Sequence, residues 1–170
     1  YHYGAGGQAT DAADFAELAG DKAIAATALD RAQSQYQAAL AALDQLEPSN
    51  SNYRRWISIV QRLALACVFD PSRESLEVLH RAVALAAAHD DQAAIASAEF
   101  WLGNINYALG ESRAATQHCE RALAAANRVG DARLIVEIRT TLGQAAATAC
   151  DYGRSLRLLD EAIEIKRRHR

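Results

Sequence analysis

Histidine, cysteine and paired carboxylates have the most to offer chemically in this chain, and their spacing decides what they can do. Histidines stand at positions 2, 80, 89, 118 and 169, cysteines at 67, 119 and 150. A metal site built on one helix needs ligands three or four residues apart, because those share a face. The nearest approach is His118-Cys119; adjacent residues on a helix point to different faces, so no metal site is expected. Asp90-Asp91 and Asp160-Glu161 are the tight acid pairs. Neither has a glycine-rich or aromatic stretch beside it to raise a carboxyl pKa for acid catalysis, so solvated charge is expected. Gly4-Ala5-Gly6-Gly7-Gln8-Ala9-Thr10 has the glycines of a phosphate cradle but lacks the lysine and the preceding strand; it reads as a helix-breaking turn. No catalytic residue, cofactor or metal is expected, and the segment is not expected to be an enzyme.

The elements that would position any site are helical. Alanine, the best helix former, supplies 39 of the 170 residues, and the only prolines are Pro48 and Pro71. No strand-length run alternates apolar and polar residues, so the reading is all-α. Gly-Asp, Gly-Glu and Asp-Pro pairs punctuate the chain, giving helices near 10–27, 29–46, 53–69, 72–89, 92–109, 112–128, 132–149 and 152–168. Those pair into four hairpins within a single domain, with repeats at about 10–46, 53–89, 92–128 and 132–168. Glu47 to Asn52 forms a longer loop, and residues 1–7 are expected to be the remnant of a preceding helix. The chain has no methionine and opens on Tyr1-His2-Tyr3, which suggests a piece of a longer polypeptide.

Net charge of -3 gives no general attraction to nucleic acid or to acidic lipid. The cluster Lys166-Arg167-Arg168-His169-Arg170 suits the carbonyl end of a helix. No stretch approaches the roughly 20 apolar residues of a membrane span. Three widely spaced cysteines without a Cys-x-x-Cys pair point to a reducing, cytoplasmic compartment.

The helices repeat. Leu79-His80-Arg81-Ala82-Val83, Cys119-Glu120-Arg121-Ala122-Leu123 and Leu159-Asp160-Glu161-Ala162-Ile163 recur every 40 residues, the mark of a stacked array. Each second helix carries small, large and small residues on one face: Ala32, Tyr36, Ala39; Ser75, Leu79, Ala82; Ala115, Cys119, Ala122; Ser155, Leu159, Ala162. The first helices carry Leu102-Gly103 and Leu142-Gly143. Glycine inside a helix costs about 1 kcal/mol relative to alanine, so its recurrence marks a place where two helices nearly touch.

Leu102-Gly103 followed by Gly110, Ala115, Ala122 and Leu123 resembles the tetratricopeptide repeat, and Leu142-Gly143, Ser155, Ala162 and Ile163 repeat the pattern. Trp101 is displaced from the usual tryptophan place, Asn106 and Asn127 stand for the usual tyrosine and proline, and Cys150 replaces the turn glycine. The resemblance implies a right-handed α-solenoid of antiparallel hairpins. With Tyr3-Gly4-Ala5-Gly6, Ala19-Gly20-Asp21-Lys22-Ala23 and Gln35-Tyr36-Gln37-Ala38-Ala39-Leu40, the chain looks similar to the helical-repeat region of large bacterial signalling proteins. Those join such an array to an ATPase and a cyclase or DNA-binding domain.

In arrays of this kind the first helices line a groove. The exposed stripes are then expected at Ser97, Phe100, Asn104 and Tyr107 with Trp101 at the margin, at Glu137, Thr140, Gln144 and Ala147, and at Ile57, Val60, Ala64 and Cys67. Phe100, Trp101 and Tyr107 either anchor a partner or plug the gap between hairpins; Asn104 and Gln144 would bond a partner's backbone. The expected role is a scaffold for a protein or peptide segment, or for neighbouring domains of the same chain. The alternative is a peptide- or small-ligand-sensing array of a transcriptional regulator.

Overall fold

The structure, a computed structural model, describes residues 2–68, 70–71 and 73–168, with side chains from Gly7 onward. The side chain of His2 and all of His169 and Arg170, invoked above, lie outside the described residues. Among those described, the chain forms eight helices and no strand, an all-α repeat fold. Two compact units divide it, Tyr1–Asp70 and Pro71–Arg170.

The first unit holds α1 (His2–Ala25), α2 (Leu29–Leu43) and α3 (Asn50–Ala66). Contrary to expectation, α1 runs through Gly4, Gly6 and Gly7 without a break. Glycine weakens a helix but lacks proline's steric block, so an established helix extends across it. The helix after the Pro48 loop also starts earlier than expected, because the Ser49 side chain caps it by accepting from the Asn52 amide at 3.1 Å. Tyr36 of α2 is buried against Gly20 of α1: a methyl built on Gly20 would stand 2.5 Å from the Tyr36 ring. Around the Tyr36 hydroxyl, Arg55 and Arg62 of α3 reach Asp14, Glu17 and Asp21 of α1. The Tyr36 hydroxyl donates to Asp21 at 2.8 Å; burial, then that bond, pushes the phenol up to about 12. Burial alone would raise the Glu17 carboxyl, but hydrogen bonds from Arg62 and Arg55 outweigh it and hold it below its ordinary value.

The second unit holds α4 (Arg73–Ala88), α5 (Gln92–Ala108), α6 (Ser112–Val129), α7 (Ala132–Thr148) and α8 (Tyr152–Arg168). The boundary falls inside the repeat expected at 53–89, leaving α3 in one unit and α4 in the other. Within the second unit α5 pairs with α6 and α7 with α8, while α4 packs on α5 and α6 on α7. The core gathers Ala96, Phe100, Cys119, Ala122, Ile138 and Leu142, and the recurring Ala82, Ala122 and Ala162 are all buried.

The turns explain the period. Asp91 and Asp131 cap α5 and α7 through the amides of Ala94 and Leu134, at 2.9 and 3.0 Å. At the carboxyl ends, Thr27, Asp90, Gly110, Gly130 and Cys150 all adopt positive φ. The amide after each returns to a carbonyl five residues back, from Ala28 to Ala23 and from Asp151 to Ala146 at 2.9 Å for example. A β-branched residue in this region is strained by about 1–2 kcal/mol, and glycine's greater unfolded-state freedom returns part of that. Thr27→Gly is therefore expected to stabilise the first unit by about 0.5–1 kcal/mol, read as a higher midpoint in urea with an unchanged slope.

Candidate interaction surface on α5 and α7

The glycines expected to mark close approach do so. A methyl on Gly103 would lie 2.4 Å from the Cys119 sulfur and 3.3 Å from the Ala115 carbonyl oxygen; one on Gly143 would lie 2.9 Å from Leu159 Cγ. Together with Gly20 and Tyr36, three hairpins thus seat the large residue of the second helix in a glycine socket on the first. In the fourth expected pair the socket position ahead of Leu79 is Leu63. Cys119 is buried, and burial, with the charges of Glu120 and Glu99 behind it, pushes its thiol up to about 12. It stays protonated and is a packing residue, as its repeat position implied.

Around these sockets the groove residues divide. Phe100, expected on the exposed stripe, is 8% exposed and lies in the core. The less buried positions of α5 are Gln92, Ala93, Ile95, Ser97, Trp101, Asn104, Tyr107 and Ala108, so the expected stripe holds at Ser97, Asn104 and Tyr107 and fails at Phe100, beside which Trp101 is the more exposed. The cause is that α4, α6 and α7 all pack on α5, leaving only a narrow arc for solvent. Trp101, placed at the margin from sequence, is half-buried, its ring tilted against Phe100 at 5.4 Å between centroids. Asn104 donates to the Phe100 carbonyl at 3.1 Å, and its own side-chain oxygen accepts from Thr141 at 3.5 Å. Tyr107 and Thr148 face each other at 3.5 Å between hydroxyl oxygens. Asn104 and Tyr107 are thus occupied in joining α5 to α7.

On α7, Thr140 is half-buried and donates to the Val136 carbonyl at 2.8 Å. Glu137 is half-buried and pairs with Arg133 at 3.3 Å, while Gln144 is exposed. The stripe expected at Ile57, Val60, Ala64 and Cys67 is buried throughout. Apolar side chains of that size leave water wherever a neighbour lets them, and no polar residue among the four opposes it. The candidate surface is therefore Trp101, Glu137 and Gln144, framed by Asn104, Thr140 and Tyr107.

Sequence reasoning missed a buried polar cluster on the other side of α5. Glu99, 5% exposed, receives Arg121 Nε at 2.9 Å and lies 2.7 Å from His118 Nδ1. Arg121 Nη2 also stands 2.7 Å from that Nδ1, which donates to the carboxylate or accepts from the guanidinium but not both. The His80 ring of α4 tilts over His118 at 5.4 Å. Burial would raise the Glu99 carboxyl; the hydrogen bonds and charges of His118 and Arg121 outweigh burial and hold it low. The effect of the cluster is to tie α5 to α6. Forty residues on, the positions of Glu99 and Arg121 hold Arg139 and Glu161, paired at 2.8 Å with the charges exchanged, so matching of residue types between repeats carried no sign of it. A further cleft of about 270 Å³ lies among Ser112, Arg113, Thr116, Leu142, Ala145 and Arg154. No described helix is long and apolar enough to cross a membrane, and no group of candidate metal ligands occurs among the described residues.

Residues 91–168 match the family model for the tetratricopeptide repeat. That family generally mediates protein–protein interaction and its members are typically non-enzymatic scaffolds. Among solved structures, the crystal structure of MamA protein aligns over 93% of this chain and 93% of its own, with 17% identity and a TM-score of 0.50. BtubC from P. vanneervenii aligns over 96% of this chain and 90% of its own, with 16% identity and a TM-score of 0.44. No curated protein sequence matches the chain.

Proposed function

We propose that this chain is a non-catalytic interaction module whose α5–α7 face binds an extended peptide or a helix of a protein partner. The observation that carries the reading is Trp101, half-buried on α5 against the core, on a helix joined through Asn104–Thr141 and Tyr107–Thr148 to α7, where Glu137 is half-buried and Gln144 exposed. An aromatic anchor flanked by an amide and a carboxylate suits a peptide backbone and a basic side chain. The same reading takes residues 1–170 as one repeat domain. On the strength of the amino-terminal likeness described above, it also places that domain beside an ATPase, cyclase or DNA-binding domain in a longer bacterial cytoplasmic protein. Binding would act by favouring one state of the neighbouring domain.

Peptides selected from a displayed random library on the 1–170 chain test the surface. Glu137→Ala with Gln144→Ala removes partly or fully exposed side chains only, and is expected to weaken the selected peptides about tenfold with an unchanged melting temperature. Peptides that bind this double variant as tightly as the parent would place the site elsewhere.

A further inference from the structure

Each first helix of the second unit touches two second helices: α5 packs on α4 and α6, and α7 on α6 and α8. Leu79, Cys119 and Leu159 are the equivalent large residues of α4, α6 and α8, 40 residues apart. A socket glycine therefore has two neighbouring helices with a side chain able to fill it. Gly103 takes Cys119 of α6, and Gly143 takes Leu159 of α8. Shape alone does not make this choice, because equivalent hollows admit side chains of unlike bulk.

Charge does make it. Four residues ahead of each socket glycine stands a charged residue, Glu99 before Gly103 and Arg139 before Gly143. Two residues beyond each large side chain stands its partner, Arg121 after Cys119 and Glu161 after Leu159. The native pairs are Glu99 with Arg121 at 2.9 Å and Arg139 with Glu161 at 2.8 Å. Were α7 to seat the large residue of α6 in place of that of α8, Arg139 would meet Arg121. Were α5 to seat that of α8, Glu99 would meet Glu161. Both combinations bring like charges together, which is unfavourable by about as much as the native pair is favourable. The Glu99 and Arg139 side chains are only 7% and 20% exposed, so solvent and salt screen them incompletely.

One choice is left over, that of α5 between α4 and α6. The same position does not settle it, since Arg81 of α4 stands where Arg121 stands on α6. The distinction falls three residues earlier: α6 has His118 there, its Nδ1 2.7 Å from Glu99, and α4 has Val78. Seated on α4, the Glu99 carboxylate would lose a hydrogen bond and face an apolar side chain instead.

We propose that the exchange of charge between these two hairpins is a pairing rule, which directs α7 to α8 and away from α6 while the chain folds. Arrays of similar helices are prone to misassembly where nothing distinguishes one helix from the next. Specificity is a difference between arrangements, so a position that attracts in one and repels in the other acts on both sides of it. The rule concerns folding of the second unit and is independent of the α5–α7 surface; either assignment stands if the other fails.

Arg139→Glu with Glu161→Arg tests it on the 1–170 chain. The double variant keeps an opposite-charge pair between α7 and α8, and is expected to hold the wild-type circular dichroism and a urea midpoint close to wild type. The reversed charge on α7 now also attracts Arg121 of α6. In stopped-flow refolding followed by tryptophan fluorescence, the mispaired population is expected to rise about tenfold, seen as a slow phase absent from wild type. Adding Arg121→Gln removes the second attraction, and the slow phase with it. Arg139→Gln with Glu161→Gln, which needs no reversed pair to pack, gives the same phase at smaller amplitude. Wild-type refolding phases in both double variants, or a slow phase that survives Arg121→Gln, would each overturn the proposal.

Discussion

Gly103→Ala is expected to destabilise the second unit by about 1–3 kcal/mol, although alanine is the better helix former by about 1 kcal/mol. The added methyl would lie 2.4 Å from the Cys119 sulfur, and the sulfur has nowhere to go, being 1% exposed. The Ala115 carbonyl at 3.3 Å limits a backbone shift in the other direction. For about 100 residues this corresponds to a fall in midpoint on the order of 4–8 °C per kcal/mol. In a Cys119→Ala background the steric term disappears, and the same substitution is expected to be neutral or stabilising. The double-mutant cycle isolates the contact; a cycle that closes with no coupling would show that Gly103 and Cys119 do not meet.

Glu99→Gln is expected to cost about 1.5–3 kcal/mol, the range for hydrogen bonds to charged groups, and to change the shape of the pH profile. The Glu99 carboxyl sits below its ordinary value in the folded protein, so the unfolded state takes up its proton first as pH falls. Its contribution is complete above the unfolded value near 4.5 and is lost as pH drops below that through the folded value. Wild type should lose stability faster than Glu99→Gln in that window. Glu17 of the first unit shifts in the same direction, so the comparison is made in a Trp56→Phe background, where Trp101 alone reports. Parallel profiles down to pH 3 would remove Glu99 from the acid transition.

Helix positions, the turn acids and the sockets were legible because each rests on a local rule repeated at fixed spacing. Asp91 and Asp131 announce caps, and Gly103 and Gly143 announce contacts with residues that recur in step. The less buried stripe of α5 was legible at Ser97, Asn104 and Tyr107 and misread at Phe100. Phe100 and Trp101 are neighbours of like chemistry, and which one faces the core depends on how many helices pack on α5, a tertiary fact. The Glu99, His118 and Arg121 cluster was invisible for a different reason. Its members come from two helices, the next repeat holds the same pair with its charges exchanged, Arg139 to Glu161, and in sequence a buried carboxylate looks like any solvated one until its partners are in place. The continuous α1 was misread because three glycines were weighed as breakers when the helix needed only the absence of proline.

The sockets have a consequence for how such a fold diverges. Gly20, Gly103 and Gly143 admit tyrosine, cysteine and leucine respectively, side chains of very different bulk entering equivalent hollows. The separation of two paired helices is then adjustable by one substitution at one position, hairpin by hairpin, while every cap and turn stays the same. A lineage of these arrays can re-space its helices through single codons, and an engineer can exchange the three plugs among the three hollows to do so by choice.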